Sequence, residues 1–223
     1  MSSPDTSASR AAATSRDRSG SRAVPRGDRR RARTRHKLIG AAREFLSEPG
    51  YVDRSIAEIT DAADIGLGSF YNHFESKDEL YTAAVNEVLD EHGALLDATS
   101  GDDSDPAASL AVAIGSTARL VLTHPEMAQI LARQGMAILD VDSGLIPRVS
   151  KLLAVGIKNG RFVASDPQIL LTAIVGALLG ALHLWIREPA DVNDEWCDEL
   201  TERLLVLCGI DAAVAAQLVR TGR

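Results

Sequence analysis

Between Gly66 and Phe74 the sequence reads GLGSFYNHF. Four side chains in it suit recognition chemistry: the Ser69 hydroxyl, the Tyr71 phenol, the Asn72 amide and the His73 imidazole. Such groups donate to phosphate oxygens, and an Asn amide also reads a base edge. Gly66 and Gly68 keep bulk away from what reads as a helix start, where free backbone amides and the helix dipole favour an anion. Three of the chain's nine aromatic rings, Phe70, Tyr71 and Phe74, lie in this stretch. Leu67, Phe70 and Phe74 stand at i, i+3 and i+7, one helical face, and read as inward anchors. Ser69, Tyr71, Asn72 and His73 are then left outward or along the flanks. For His73, a phosphate contact and a buried hydrogen-bonded role are both open.

A basic run, RRRARTRHK from Arg29 to Lys37, lies upstream. Residues 1–37 hold 11 Lys and Arg against 3 Asp and Glu, a net +8, while the rest hold 13 against 28, a net −15. The overall charge of −7 hides this division. A basic end that meets a polyanion and an acidic body that does not is the direct reading. Arg33, Arg35 and Lys37 are the arm's candidate DNA contacts, reaching an adjacent minor groove as homeodomain arms do.

These residues need elements to hold them. After Arg33 nearly every segment reads at a 3.6-residue period, and no strand alternation is convincing. A first helix is expected from Thr34 to about Ser47. A second opens at Ser55, where SIAE is a capping box. The third is the quoted stretch, and SKDE at Ser76–Glu79 repeats the capping box before a longer fourth helix. Only about three residues, Asp64 to Gly66, join the second and third helices. That spacing is a helix-turn-helix, whose second helix lies in the DNA major groove. Further helices are expected at about 107–122, 125–139, 145–158, 167–187, 193–208 and 211–221.

Ser55–Leu80, SIAEITDAADIGLGSFYNHFESKDEL, resembles the helix-turn-helix signature of the TetR family of bacterial transcriptional regulators. The matching residues are Ile56-Ala57, Ala62-Ala63, Gly68-Ser69-Phe70-Tyr71 with Phe74, and Ser76-Lys77 with Leu80. With the first helix the likeness covers about residues 33–90. Asp64 and Gly66 stand where the family often has Gly and a hydroxyl residue, and Leu67 where it often has a polar or basic one. The resemblance implies phosphate contacts by Ser55 and Lys77, with Tyr71 and His73 flanking the groove. It also implies an all-α fold with a three-helix DNA-binding domain and a larger helical effector-binding and dimerisation domain. About nine to ten helices are expected in all. The expected division is a disordered basic tail at 1–27, the DNA-binding domain at 28–80 and the effector and dimerisation domain at 81–223.

The expected dimer joins the last two long helices of each subunit. Gly176-x-x-x-Gly180, with Ala173 and Ala177 alongside, lets helices approach closely. Trp196, Leu200 and Leu204 on the next helix would supply a second strip. Ile169–Ile186 is eighteen residues without a charge, at the lower edge of a spanning length. Thr172, His183 and two glycines within it favour a central buried helix over a membrane span. Candidate liners of an effector pocket are Met127, Ile130, Leu131, Gln134, Met136, His183 and Trp185. Arg119 and Arg133 are candidates for an anionic ligand or for the surface.

No G-x-S-x-G, HExxH, P-loop or Cys/His pair at ligand spacing is present, so an enzyme is not expected. Cys197 and Cys208 read as two helix thiols in a reducing cytosol. The expectation is a cytoplasmic homodimer that binds a palindromic operator in double-stranded DNA and is released by a small-molecule effector of unknown identity, with no cofactor, metal or membrane. A DNA-binding activator or a ligand-independent architectural protein is the alternative; a body without an enclosed cavity would favour it.

Overall fold

The computed structural model describes residues 26–50, 53–99, 105–140 and 145–222. Among these, eleven α-helices and no strand are found. The basic tail expected at 1–27 falls outside the described residues up to residue 25, and Arg26 and Gly27 already belong to α1 (Arg26–Leu46). That helix starts eight residues before the expected Thr34. The Arg and Ala residues between are strong helix formers, and no proline interrupts them. The basic run is therefore a helix rather than an extended arm. Leu38, Ile39, Ala42 and Leu46 form its buried side, and Gly50 ends the segment at φ 76°.

The capping box at the start of α2 (Ile56–Ala62) forms as expected: Glu58 N donates to Ser55 Oγ at 3.2 Å and Ser55 N donates to the Glu58 carboxylate at 2.8 Å. A turn follows with Asp64 at φ 53°, a left-handed conformation that non-glycine residues rarely adopt. The expected third helix shrinks to one turn, α3 (Leu67–Phe70), and Tyr71–His73 continue as turn. Phe70 and Phe74 are buried. Leu67, expected beside them, is 50% exposed. One turn of helix is too short to bring a residue at its first position down onto the same contacts. At α4 (Lys77–Thr99), Ser76 Oγ accepts from Glu79 N at 3.1 Å, but the Glu79 carboxylate takes Glu75 N at 2.6 Å, one residue upstream of a capping box.

The body follows as α5 (Pro106–Ala118), α6 (Leu120–Thr123), α7 (Pro125–Gln134), a 3₁₀ turn (Gly135–Asp140), α8 (Leu145–Lys158), α9 (Pro167–Arg187), α10 (Asp194–Leu207) and α11 (Ala212–Thr221). The helix expected at 107–122 is divided at Arg119, whose guanidinium bonds Asp194 and Asp198 on α10. The one expected at 125–139 stops at Gln134 because Gly135 takes φ 57°. After α8, Gly160 turns the chain at φ 68° and Phe162 folds back over Gly156. A Cβ on Gly156 would lie 2.1 Å from that ring. Arg161 bonds both oxygens of Asp105, at 2.9 and 2.8 Å, and Asp105 also caps α5 through Ala107 N. This pins the α8–α9 connection to the start of α5.

Asp166 caps α9 and Pro167 occupies its first position, as expected. By length and composition α9 is the one helix among the described residues apolar enough to cross a membrane. Here it buries Leu170, Leu171, Ile174, Leu178 and Leu182 against α5, α7 and α8. Its opposite stripe, Ile169, Thr172, Gly180 and His183, stays exposed, so the helix is central on one side only.

Candidate functional site

The outward polar set forms on a two-ring base. Phe70 and Phe74 are 6.0 Å apart between centroids, and Tyr71 meets Phe70 edge-on at 5.3 Å. With that base fixed, Tyr71 stands 61% exposed, Asn72 is exposed and Ser69 is half-buried. Gly66 and Gly68 have open space at their Cβ positions, so nothing in the fold itself requires glycine there. Their small size leaves the start of α3 open to close approach.

Helix α1 passes over this turn. Arg31 donates to Asn72 O at 3.3 Å, and the Arg35 guanidinium lies 5.1 Å from the Phe74 ring centre. Arg31 and Arg35 are one turn apart, and Arg33 is roughly 200° round the helix from Arg31. Arg33 is exposed without an ion pair among the described residues, whereas Lys37 reaches Asp64 at 3.4 Å. His73 is half-buried, and its Nδ1 is buried without a hydrogen-bond partner. Burial, and then Arg31 and Arg35, lower its pKa, so the ring is neutral at neutral pH. Of the two roles open for His73, the buried hydrogen bond is absent at Nδ1.

The two phosphate candidates brought by the family pattern are both engaged within the protein. The Ser55 hydroxyl donates to Glu58 at 2.8 Å, and Glu58 is held at a pKa of about 2 mainly by its bonds from Ser55. Lys77 Nζ donates to Arg54 O at 3.0 Å, tying α4 to the start of α2. Arg31 was not singled out from the basic run, because its contact depends on α1 being helical that far upstream.

In the body, a cavity of about 50 Å³ lies among α4, α5, α7, the 3₁₀ turn, α8 and α9. Of the seven expected liners only Leu131 borders it. Met127 and Ile130 are core residues, Gln134 and Trp185 are half-buried elsewhere, and Met136 and His183 are exposed. His183 fails because it lies on the open stripe of α9, and Met136 because the helix has ended at Gln134. The polar wall is instead His92 and Thr117. His92 replaces an apolar residue in the Val85-Leu89-His92-Leu96 stripe of α4, a signal legible in the sequence. Its pKa falls to about 4, first through burial and then through His124. Arg119 serves the α5–α10 junction, and Arg133 Nε is buried without a partner.

Between the two sites, Arg43 of α1 donates to Glu91 on α4 at 2.8 Å and to Glu126 on α7 at 3.1 Å. Glu91 neighbours His92, so one residue of α4 faces the cavity and the one before it holds α1.

Of the expected dimer residues, Ala173, Gly176, Ala177, Trp196 and Leu200 are half-buried and Gly180 is exposed. Neither Gly176 nor Gly180 has an atom within 4 Å of its Cβ position. Leu204 is only 4% exposed, so it is core within the chain and not available to a partner. Helix α10 turns that face toward α5 and α11 and leaves Val206 and Leu207 outside.

A family model described as bacterial regulatory proteins of the tetR family matches residues 38–84. A second, the tetracyclin repressor-like C-terminal domain, matches residues 105–221, more than half of the chain. The chain is 24% identical over 188 residues to the probable HTH-type transcriptional regulator ArpR of Pseudomonas putida, covering 74% of this chain and 88% of ArpR. It is 33% identical over 76 residues to the HTH-type transcriptional repressor DhaR of Mycobacterium sp. strain GP1, covering 34% of this chain and 38% of DhaR. The crystal structure of RolR with its ligand resorcinol is similar at a TM-score of 0.66 and 28% identity, covering 86% of this chain and 95% of RolR. FadR from Bacillus halodurans shares the fold at a TM-score of 0.65 and 19% identity, over 77% of this chain and 94% of that one. The helix-turn-helix geometry and the matches across both halves lead to one conclusion: the chain belongs to the tetR family of bacterial transcriptional regulators and is not an enzyme.

Proposed function

We propose that the protein is a cytoplasmic homodimeric repressor that holds a palindromic operator and releases it when a small molecule fills the body. In this reading residues 28–80 bind DNA and 81–223 bind effector and partner. The carrying observation is the polar face of the recognition turn, with Tyr71 and Asn72 exposed and Ser69 half-buried over a buried two-ring base beside the basic α1. Base contact falls to Asn72 and Ser69, with Leu67 as an apolar contact, and phosphate contact to Tyr71, His73, the amides at Gly66 and Gly68, and the arginines of α1. Ser55 and Lys77 reach phosphate only if they exchange their internal bonds for it. Arg33, facing away from the recognition turn, contributes charge rather than a groove contact.

The open stripe of α9 supports dimerisation. Gly176 and Gly180 leave open space on it, and a second α9 lying there would cover surface that the chain leaves bare. The partner then sets two recognition turns one helical turn of DNA, about 34 Å, apart or a multiple of it. Release needs a link between cavity and head, and Arg43 supplies one. Filling the cavity displaces α4 or α7, and the Arg43 bonds to Glu91 and Glu126 carry that displacement to α1. The effector thereby favours a dimer whose recognition turns are wrongly spaced. RolR, solved with resorcinol, is a related fold that takes a small ligand.

The test is selection of genomic fragments by the purified protein, followed by mobility shifts with and without candidate effectors. Binding of a discrete inverted repeat that is lost on adding an effector supports the reading. Sequence-independent binding that no effector alters supports the architectural alternative.

A further inference from the structure

Among the described residues the cavity lining is hydrocarbon except for one polar pair, His92 and Thr117, and no charged side chain borders it. The Thr117 hydroxyl donates to Ala113 O at 2.7 Å, so it accepts from His92 Nε2–H at 3.1 Å. That fixes the tautomer: in the neutral ring Nδ1 is the acceptor. Among the described residues Nδ1 has no hydrogen-bond partner. The ring stays neutral because burial drives its pKa down to about 4.

A second cavity of about 30 Å³ lies on the other side of Thr117. The two share Thr117, Ile146, Val175 and Leu178 as walls. Each is well below the roughly 150 Å³ that accommodates a benzene ring. Rotation of the shared aliphatic side chains would join them around Thr117, with the polar pair at the middle, and a ring-sized ligand would have to push those side chains further apart to enter.

We propose that this joined cavity takes a small uncharged molecule with a compact hydrocarbon body and one hydroxyl, which donates to His92 Nδ1. The inference rests on the effector-responsive reading above and names the chemistry of its ligand. An anion is rejected because a carboxylate buried here meets no counter-charge. A plain hydrocarbon is disfavoured because it leaves Nδ1 desolvated and unpaired. His92 is therefore the residue that sets specificity, and Thr117 the positioning residue that holds its tautomer.

The probes are phenol, toluene and benzoate, nearly equal in size, titrated calorimetrically into the full-length protein at pH 7. Phenol should bind most tightly, toluene about tenfold more weakly and benzoate about a hundredfold more weakly. Thr117→Val should weaken phenol about fivefold and leave toluene within about twofold. His92→Leu should bring phenol and toluene level; should that variant fail to fold, Thr117→Val carries the test alone. Benzoate or toluene binding within about threefold of phenol, no binding by any probe, or an unaffected Thr117→Val would each overturn the proposal. DNA retention is measured separately. Phenol that binds but leaves the DNA bound supports the cavity chemistry and contradicts ligand-driven release by it. A charged effector that releases DNA while phenol does not bind overturns the cavity chemistry and leaves the repressor reading standing.

Discussion

The DNA-binding half and the body each enclose part or all of a histidine ring, half-buried His73 and buried His92, and they use it differently. His73 sits behind the recognition turn with Nδ1 unpaired, beside Arg31 and Arg35, at a surface open to solvent. His92 is enclosed, bonded to Thr117 and bordered by hydrocarbon. Both rings are kept neutral, mainly by burial. In the head the neutral ring lies within a cationic surface that awaits a polyanion. In the body it is an acceptor among apolar side chains. The same side chain thus marks an electrostatic site in one half and a shape-and-hydrogen-bond site in the other. That division follows the charge asymmetry of the chain.

The difference can be broken at several points. Phe70→Ala should cost about 3–5 kcal/mol, because the ring is fully buried and supports Tyr71. Thermal melts should drop accordingly and DNA binding should be lost, while a cavity probe still binds any protein that remains folded. A DNA-binding Phe70→Ala protein would remove the two-ring base from the account.

Protonation separates the histidines next. The His92 pKa is about 4 in the folded protein against about 6.5 unfolded, so the unfolded state binds the extra proton first. Stability is full above about pH 6.5 and falls as the pH drops toward 4, by about 3 kcal/mol in total. Denaturant midpoints from pH 7 to 4 should show this loss, and His92→Leu should remove most of it. An unchanged slope in that variant would mean that the ring is not buried as described.

Two glycines sharpen the contrast between packing and assembly. Gly156→Ala should destabilise the subunit by about 1–3 kcal/mol, since its Cβ meets the Phe162 ring. The Cβ of Gly176→Leu meets no neighbouring atom in its own chain, so the fold should hold while the protein sediments as monomer. A Gly176→Leu dimer would dismiss the α9 stripe as the interface. The smallest effect is expected at the turn. Asp64→Gly relieves a left-handed residue and should raise stability by about 1 kcal/mol, offset slightly by the exposed Lys37 pair. Chemical denaturation resolves that difference, and a destabilised variant would mean that the ion pair outweighs the backbone.

Helix boundaries were legible wherever a cap announced them. Ser55 with Glu58, and Asp166 with Pro167, rest on local hydrogen bonds that need no tertiary knowledge. The inward turn of Phe70 and Phe74 was legible from periodicity, and the outward turn of Tyr71 followed. The errors lie where tertiary structure competes with local pattern. Thr34 looked like a helix start, but favourable residues upstream carried α1 through it. Leu67 and Leu204 both fit an apolar stripe, yet one lies outside because α3 is a single turn and the other lies inside because α10 rotates toward α5 and α11. The expected liners on α7 and α9 are mostly the wrong residues of those helices, and the polar wall, His92 and Thr117, is missing from them because it comes from α4 and α5, which meet only in the fold.

The central claim is a dimer that spaces two recognition turns on DNA and loses that spacing when the body is filled. Footprinting of the full-length protein on its selected genomic fragment tests this most directly. The account predicts two protected half-sites related by inverted symmetry, about 34 Å or a multiple of it apart, that lose protection together when an effector binds. A single protected half-site, or protection unchanged by any bound effector, would contradict it.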